Sequence, residues 1–418
     1  MAKVCVVGGG PAGMMLGLLL ARCGVEVTVL EKHADFLRDF RGDTVHASTL
    51  TLLDELGLGP AFARLPARYV TSVDVGLDSG VYPLIDLTRL PGTHQHIALV
   101  PQWDLLDLLA DAARVEPTFT LLTEGEVTAL RRTGDRVSGV AYRHGETTYE
   151  LDADLVVACD GRTSRVRDEA GLPYREFGVP MDVLWFRLPR HEGDVQGGFG
   201  RFTGRSLIVL IDRGDYFQIG FLIRKGSYST LRAEGIEAFR ERLTAALPWL
   251  AERVGELISF DDLRLLDVRL GRLRRWWADG LLCLGDAAHA MSPVGGVGIN
   301  LAVQDAVAAA RMLAPVLLTR APTTGELRAV QRRRGLPTVL TQGVQRLAHR
   351  FLLARAVGDA VPTRTATRKP PLMAVLDRFP VLRRIPAYVV AIGVRPEQPP
   401  GATRRPAGLA PGAVSPAD

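Results

Sequence analysis

An α/β fold built from two interleaved units, with helices toward the C-terminus, is what this sequence predicts, and three observations carry it. Three apolar runs, Lys3–Val7, the one after Asp154 that ends in Asp160-Gly161, and Leu281–Leu284, each end in a short loop bearing glycine or aspartate. Between them, stretches such as Val183–Leu188, Leu207–Asp212 and Tyr216–Ile223 alternate or run apolar as antiparallel strands do. At 418 residues, 47% hydrophobic and 23% charged, the chain is long enough for two domains with a large core.

The first run leads into Gly8-Gly9-Gly10-Pro11-Ala12-Gly13 and a helix to about Cys23, and Glu26–Leu30 then reads as a second strand ending in Glu31 and Lys32. This is a G-x-G-x-x-G turn in its strand–turn–helix setting, with an acid 23 residues after the first glycine. Gly8 allows the tight turn, Gly10 the approach of a pyrophosphate, and Gly13 close packing of helix on strand. Glu31 suits the two hydroxyls of an adenosine ribose and would repel a 2′-phosphate. The second run ends in Asp160-Gly161, followed by Arg162, Arg165 and Arg167. That dipeptide alone fits an ordinary Asx turn equally well.

The third run ends in Gly285-Asp286-Ala287-Ala288-His289. Pro293, Gly295, Gly296, Gly298, Ile299 and Asn300 follow before a long apolar helix, Leu301–Leu318. A carboxylate at a strand end can hold polyol hydroxyls, and the amides of Gly298, Ile299 and Asn300 at a helix N-terminus can stabilise developing negative charge. A flavin with its ribityl chain needs both, so the three motifs together point to FAD.

The three motifs, in this order and spacing, resemble the single-component FAD-dependent aromatic monooxygenases, the family of para-hydroxybenzoate hydroxylase and the ubiquinone-pathway hydroxylases. The resemblance spans residues 1–345. It implies a Rossmann-like FAD-binding domain interleaved with an antiparallel β-sheet substrate domain. It also implies non-covalent FAD, with NAD(P)H as a transient co-substrate and O2 as oxidant. Oxygen would reach an electron-rich aromatic small molecule through a flavin C4a-hydroperoxide. By the same resemblance Glu31 holds the adenosine ribose, Arg41 and Gln102 touch the pyrophosphate and ribityl region, and the backbone of Val127 meets the adenine. Asp160 lies near FAD and the arriving nicotinamide, Asp286 binds flavin-side oxygens, Pro293 lines the reaction cavity, and Gly298–Asn300 face the flavin pyrimidine edge. Many relatives carry Arg where this chain has Gln102, so charge compensation there is weaker.

The expected cofactor unit takes residues 1–70, 100–180 and 265–345, and the substrate sheet 71–99 and 181–264. A helical segment over 346–394 and a disordered, Pro- and Ala-rich tail over 395–418 complete the chain. Residues 341–418 hold 12 Lys+Arg against 4 Asp+Glu, so the net +5 of the chain reflects this basic segment, and the remainder is −3. No nucleic-acid module accompanies that charge, and a solvated helix face accounts for it. The apolar residues of Pro380–Val394 recur at helical steps, interrupted by Pro386, and docking onto the enzyme body is favoured over a membrane.

The opening Met1-Ala2-Lys3 leads straight into a strand, and nothing approaches a membrane span, so a cytoplasmic protein is expected. Cys5, Cys23, Cys159 and Cys283 lack metal spacing and read as reduced core thiols. No metal site, no nucleic-acid partner and a homodimer complete the expectations. The chemistry belongs to the cofactor, so no side chain is assigned as acid or base. Cavity candidates are Pro293, His46 beside Arg41, and Tyr216 and Gln218. In Tyr216–Phe221 the latter two share one strand face with Gly220, while Phe217, Ile219 and Phe221 share the other, and either face could line the cavity. The competing functions are a flavin-dependent halogenase or reductase of the same fold, and a non-enzymatic dinucleotide-binding protein.

Overall fold

The computed structural model describes residues 2–37, 44–77, 80–194, 198–203, 206–350, 376 and 378–406. Its centre is a six-stranded sheet in the order Trp277–Ala278, Leu281–Cys283, Leu155–Ala158, Lys3–Val7, Glu26–Leu30, Phe119–Leu122. Every neighbouring pair is parallel except the first. A parallel strand covered on both faces must be apolar throughout, and Val4, Cys5, Val6 and Val7 are all buried. Burial pushes the Cys5 thiol up to about 12, so it stays protonated. The helices Pro11–Arg22 and Gly298–Leu317 pack together within the same apolar core.

This strand order matters for the site. The strands that carry the three motifs are adjacent, so the loops leaving Val7, Ala158 and Cys283 emerge side by side at one carboxyl edge.

The second large sheet has seven strands in the order Arg264–Leu266, Met181–Pro189, Tyr216–Arg224, Ser206–Asp212, Gly198–Thr203, Ser72–Leu77, Gly80–Asp86. It is antiparallel apart from one junction, where Gly198–Thr203 runs parallel to Ser72–Leu77. Phe217, Ile219 and Phe221 lie on the face covered by the helix Ile236–Ala246, with Phe239 edge-on to Phe186 and Phe221. They are therefore this unit's own core. Tyr216, Gln218 and Gly220 point the other way.

The C-terminal region departs from expectation in three respects. The helix Thr324–Ala348 runs through the boundary drawn at 345, opened by a capping box between Thr323 and Glu326. Pro386 does not break the short helix Arg384–Ala391, because it stands in the first turn, where its missing N–H has no intrahelical partner to lose. That helix docks on the body, with Ala387 and Ala391 fully buried beside Ala47, Ile97 and Leu99.

The third departure corrects the reading of 395–418 as a disordered tail. Over Arg395–Pro406 the chain is packed, held by long-range ties such as Arg22 to the Thr403 carbonyl and Arg404 to Glu55 that composition does not reveal. The Glu397 side chain is fully buried and bonds three arginines, Arg311, Arg333 and Arg334. Residues 407–418 lie outside the described residues, as does 351–375 of the segment expected to be helical. Among the described residues no helix is long and apolar enough to cross a membrane.

Candidate active site

The first loop shows why its glycines are needed. Gly8 has φ +104°, and a Cβ on it would fall 2.5 Å from the Cys159 carbonyl oxygen. A Cβ on Gly13 would fall 2.0 Å from the Gly8 oxygen. On Gly10, by contrast, a Cβ would meet nothing within 4 Å, so that backbone faces open space. Pro11 opens the helix and Ala12 is buried behind it, and no side chain caps the helix N-terminus, leaving its first amides for a ligand. Glu31 is buried below this turn and accepts from the Gly9 amide at 2.9 Å and the His33 amide at 3.1 Å. Lys32 is exposed. The Gly125 amide donates to the Glu31 carbonyl, which brings the strand bearing buried Val127 alongside. Gln102 is the first residue of the helix Gln102–Arg114, which packs on Pro11–Arg22. Arg41 lies outside the described residues.

In the second loop one Asp160 carboxylate oxygen accepts from the Val166 amide at 3.2 Å, while the other, Oδ1, is buried with no partner among the described residues. Burial raises the Asp160 pKa above the usual carboxylate range, against the opposing pull of the Ser164 and Val166 bonds. Gly161 adopts φ +86°, a left-handed conformation that favours glycine. Ser164 caps the following helix, and Arg162 reaches across to Asp286 at 3.7 Å.

The third loop closes against the first two. Gly285 has φ +56°, and a Cβ there would come within 3.3 Å of the Ala12 Cβ. Its amide donates to Asp305 Oδ2 at 3.3 Å, and the same oxygen lies 2.5 Å from His289 Nε2. Arg334 Nε donates to the other Asp305 oxygen at 3.0 Å. Burial alone would raise the Asp305 pKa, but His289 and Arg334 outweigh it and hold the carboxyl below its ordinary range. Asp286 itself remains about one-third exposed beside this buried tie.

Beyond the half-buried Pro293, Gly296 and Gly298 lead into the long helix, whose N-terminus again has no side-chain cap. A Cβ on Gly298 would meet nothing within 4 Å, so these amides also face open space. Ile299 and Asn300 are buried. The Asn300 side chain is turned away, with its oxygen accepting from Ser48 Oγ at 2.9 Å and Thr49 Oγ1 at 2.7 Å. Its side-chain oxygen is thus already engaged within the protein.

His46 corrects one sequence expectation. It is fully buried, with Nδ1 2.6 Å from the Val390 carbonyl and Nε2 3.0 Å from the Gly296 carbonyl. It ties the C-terminal helix to the glycine loop and has no edge left for a cavity. Burial holds its pKa below the ordinary value, the two carbonyl contacts offsetting part of the effect. Tyr216 stacks under Arg187 at 4.8 Å, and buried Gln218 accepts from Arg213 at 2.8 and 3.0 Å. The residues that sequence reasoning missed are Asp305, Arg334 and Glu397. Their one visible signal was Gln304-Asp305 inside an otherwise apolar helix.

Two uncapped helix N-termini over open glycines, a buried acid under the first turn and an unpartnered Asp160 oxygen fit an extended dinucleotide. The Asp286 edge fits its polyol. Fold and site thus define an FAD-dependent oxidoreductase. The match to the FAD binding domain family model covers residues 1–343, and the chain belongs to that family. It is an FAD-dependent aromatic monooxygenase that uses NAD(P)H and O2.

The chain is 37% identical over 382 residues to 6-methylpretetramide 4-monooxygenase of Streptomyces rimosus, covering 90% of this chain and 91% of that one. The solved structure of OxyS anhydrotetracycline hydroxylase from Streptomyces rimosus matches with TM-score 0.72 and 25% identity, over 94% of this chain and 76% of that one. CmlS, a flavin-dependent halogenase, matches with TM-score 0.74 over 99% of this chain and 75% of that one. At 20% identity it shares the fold alone.

Proposed function

We propose that the protein hydroxylates a fused-ring aromatic polyketide of the pretetramide type. The observation that carries this reading is the 37% identity to a pretetramide monooxygenase across nearly the whole of both chains. Bound FAD supplies the redox chemistry, accepting reducing equivalents from NAD(P)H and activating O2. The protein's part is to hold and shield. Gly8–Gly13 and Glu31 grip the adenosine and pyrophosphate end, with Lys32, Gln102, Arg41 and the Val127 backbone alongside. Asp286 takes the polyol, Gly285 and Gly296 shape its turns, and the amides of Gly298, Ile299 and Asn300 face the flavin ring. Asp160 and Gly161 border the nicotinamide approach.

In this reading residues 1–70, 100–180 and 265–345 form the cofactor unit, and 71–99 with 181–264 close over it. The sheet face bearing Gln218 and Gly220, with Pro293 opposite, walls the reaction cavity and keeps water from it. The enzyme acts in the cytoplasm on a free small molecule, without nucleic acid, as a homodimer.

The test is to supply FAD-loaded protein with NAD(P)H, O2 and 6-methylpretetramide and to analyse products by mass. A product heavier by one oxygen is expected. NAD(P)H consumption that yields only peroxide would reject the substrate class, and a second peak by size-exclusion chromatography at monomer mass would reject the dimer.

A further inference from the structure

The face of the seven-stranded sheet opposite the helix Ile236–Ala246 carries Val183, Trp185, Val209 and Leu222, and Val294, next to Pro293, packs against it. Trp185 stands at this junction between the sheet and the loop leading to the Gly298 helix. Its cross-strand partner is Gly220. A Cβ on Gly220 would come within 3.0 Å of the six-membered indole ring, so the glycine lets the ring lie against bare backbone. The indole Nε1 is buried, and it has no hydrogen-bond partner among the described residues. Gln218, on the same face, already accepts twice from Arg213.

A buried donor without an acceptor is destabilising, native folds keep few of them, and each one that persists calls for a functional or structural reason. An indole N–H can only donate. Its proper complement is therefore an oxygen carried on an otherwise apolar, flat molecule that can lie along Val183, Val209 and Leu222.

We propose that Trp185 is a specificity-determining residue: its Nε1 donates to a ring-borne oxygen, phenolic or enolic, of the polycyclic substrate, while the indole forms an apolar wall of the cavity. This rests on the reading that the Gln218–Gly220 face lines the reaction cavity. A site that hydrogen-bonds a substrate oxygen discriminates strongly against analogues lacking it, whereas an apolar wall alone tolerates them.

The test uses the FAD-loaded enzyme and 6-methylpretetramide as probe, its affinity read from the perturbed flavin absorbance. Trp185→Phe keeps a ring and removes the donor, and should weaken binding about 10-fold. FAD content and the substrate-free rate of reduction by NAD(P)H should not change. Trp185→His, which restores a ring N–H, should recover part of the loss. A readout needing no variant is the set of five indole N–H resonances of wild type, of which one should move downfield on adding the probe. Hydroxylation by wild type with undiminished binding in Trp185→Phe, or with no indole shift, overturns the role of Trp185 and leaves the substrate reading standing. Failure of wild type to bind and hydroxylate the probe overturns both.

Discussion

Replacing Glu397 by alanine is expected to destabilise the enzyme by about 3 kcal/mol, although this residue lies in a stretch whose composition suggests a loose tail. Its carboxylate accepts from Arg333 at 2.6 and 3.0 Å, from Arg311 at 2.7 Å and from Arg334 at 3.4 Å. Removing one partner of a buried ion pair costs about 3–5 kcal/mol, because the other charge is left without water or counter-charge. Here the three arginines differ. The side chains of Arg311 and Arg333 are 36% and 25% exposed and can rehydrate, so their loss resembles that of surface pairs, about 0–1 kcal/mol each. Arg334 is 1% exposed and cannot; it keeps only Asp305 as counter-charge. The expected cost therefore sits at the lower end of the range, and Glu397→Gln, which preserves shape without charge, should fall below it. Urea unfolding of the FAD-loaded protein followed by far-UV circular dichroism measures the change. A loss under about 1 kcal/mol in Glu397→Ala would refute the argument that this cluster anchors the segment.

Four further expectations concern the cofactor and pH. Asp286→Ala should weaken FAD binding by about 1.5–3 kcal/mol, the scale of a charge-assisted hydrogen bond, or roughly 10- to 150-fold in Kd by titration of apoprotein; an unchanged Kd rejects the assignment. Asp160→Ala should slow reduction by NAD(P)H more than it loosens FAD, and the opposite order would move Asp160 out of the nicotinamide approach. Reduction of the flavin should be slow without substrate and accelerate once the aromatic ligand positions the ring, as a conformational gate requires; equal stopped-flow rates would exclude such a gate. Stability should fall as pH drops through about 6.5, because His46 and His349 have pKa values lowered by burial. Below that pH the unfolded chain takes up protons that the folded chain refuses, so it binds more of them and folding is disfavoured. Asp160, raised by burial, acts in the opposite sense at lower pH. A urea midpoint that does not decrease between pH 7.5 and 5.5, or whose slope is unaltered in His46→Gln, would contradict this.

What could be read in the sequence was local. Gly8 and Gly13 are demanded by a turn whose geometry depends on its own backbone, Gly10 leaves its backbone open, and Asp160 and Asp286 stand directly after apolar runs. The alternation in Tyr216–Phe221 was legible too, but not which face was core. That was decided by the helix Ile236–Ala246, which brings Phe239 onto one side. Phe119–Leu122 and Glu126–Thr133 are separate strands because Glu124 between them takes φ +57° and turns the chain, a conformation non-glycine residues seldom signal. The parallel junction of Ser72–Leu77 with Gly198–Thr203 links strands far apart in sequence and leaves no local trace. His46 was read as a cavity candidate beside Arg41, but its partners, Gly296 and Val390, are 250 and 344 residues away. Long-range polar ties of this kind carry no periodicity, and pattern reading passes over them.

The Glu397 cluster also sets an order of events during synthesis. Arg334 precedes Glu397 by 63 residues, which at about 5–20 residues per second is an interval of roughly 3–13 s. Until Glu397 joins, Arg334 has only Asp305 as its acid partner in this cluster. Asp305 is also the residue that holds the Gly285 turn through its backbone amide. The turn beside Asp286 thus acquires its full electrostatic support only when the ribosome has passed Glu397. Chains that stop short of it carry all three motifs yet lack the counter-charge that Glu397 gives Arg334, and are expected to hold the third loop less firmly.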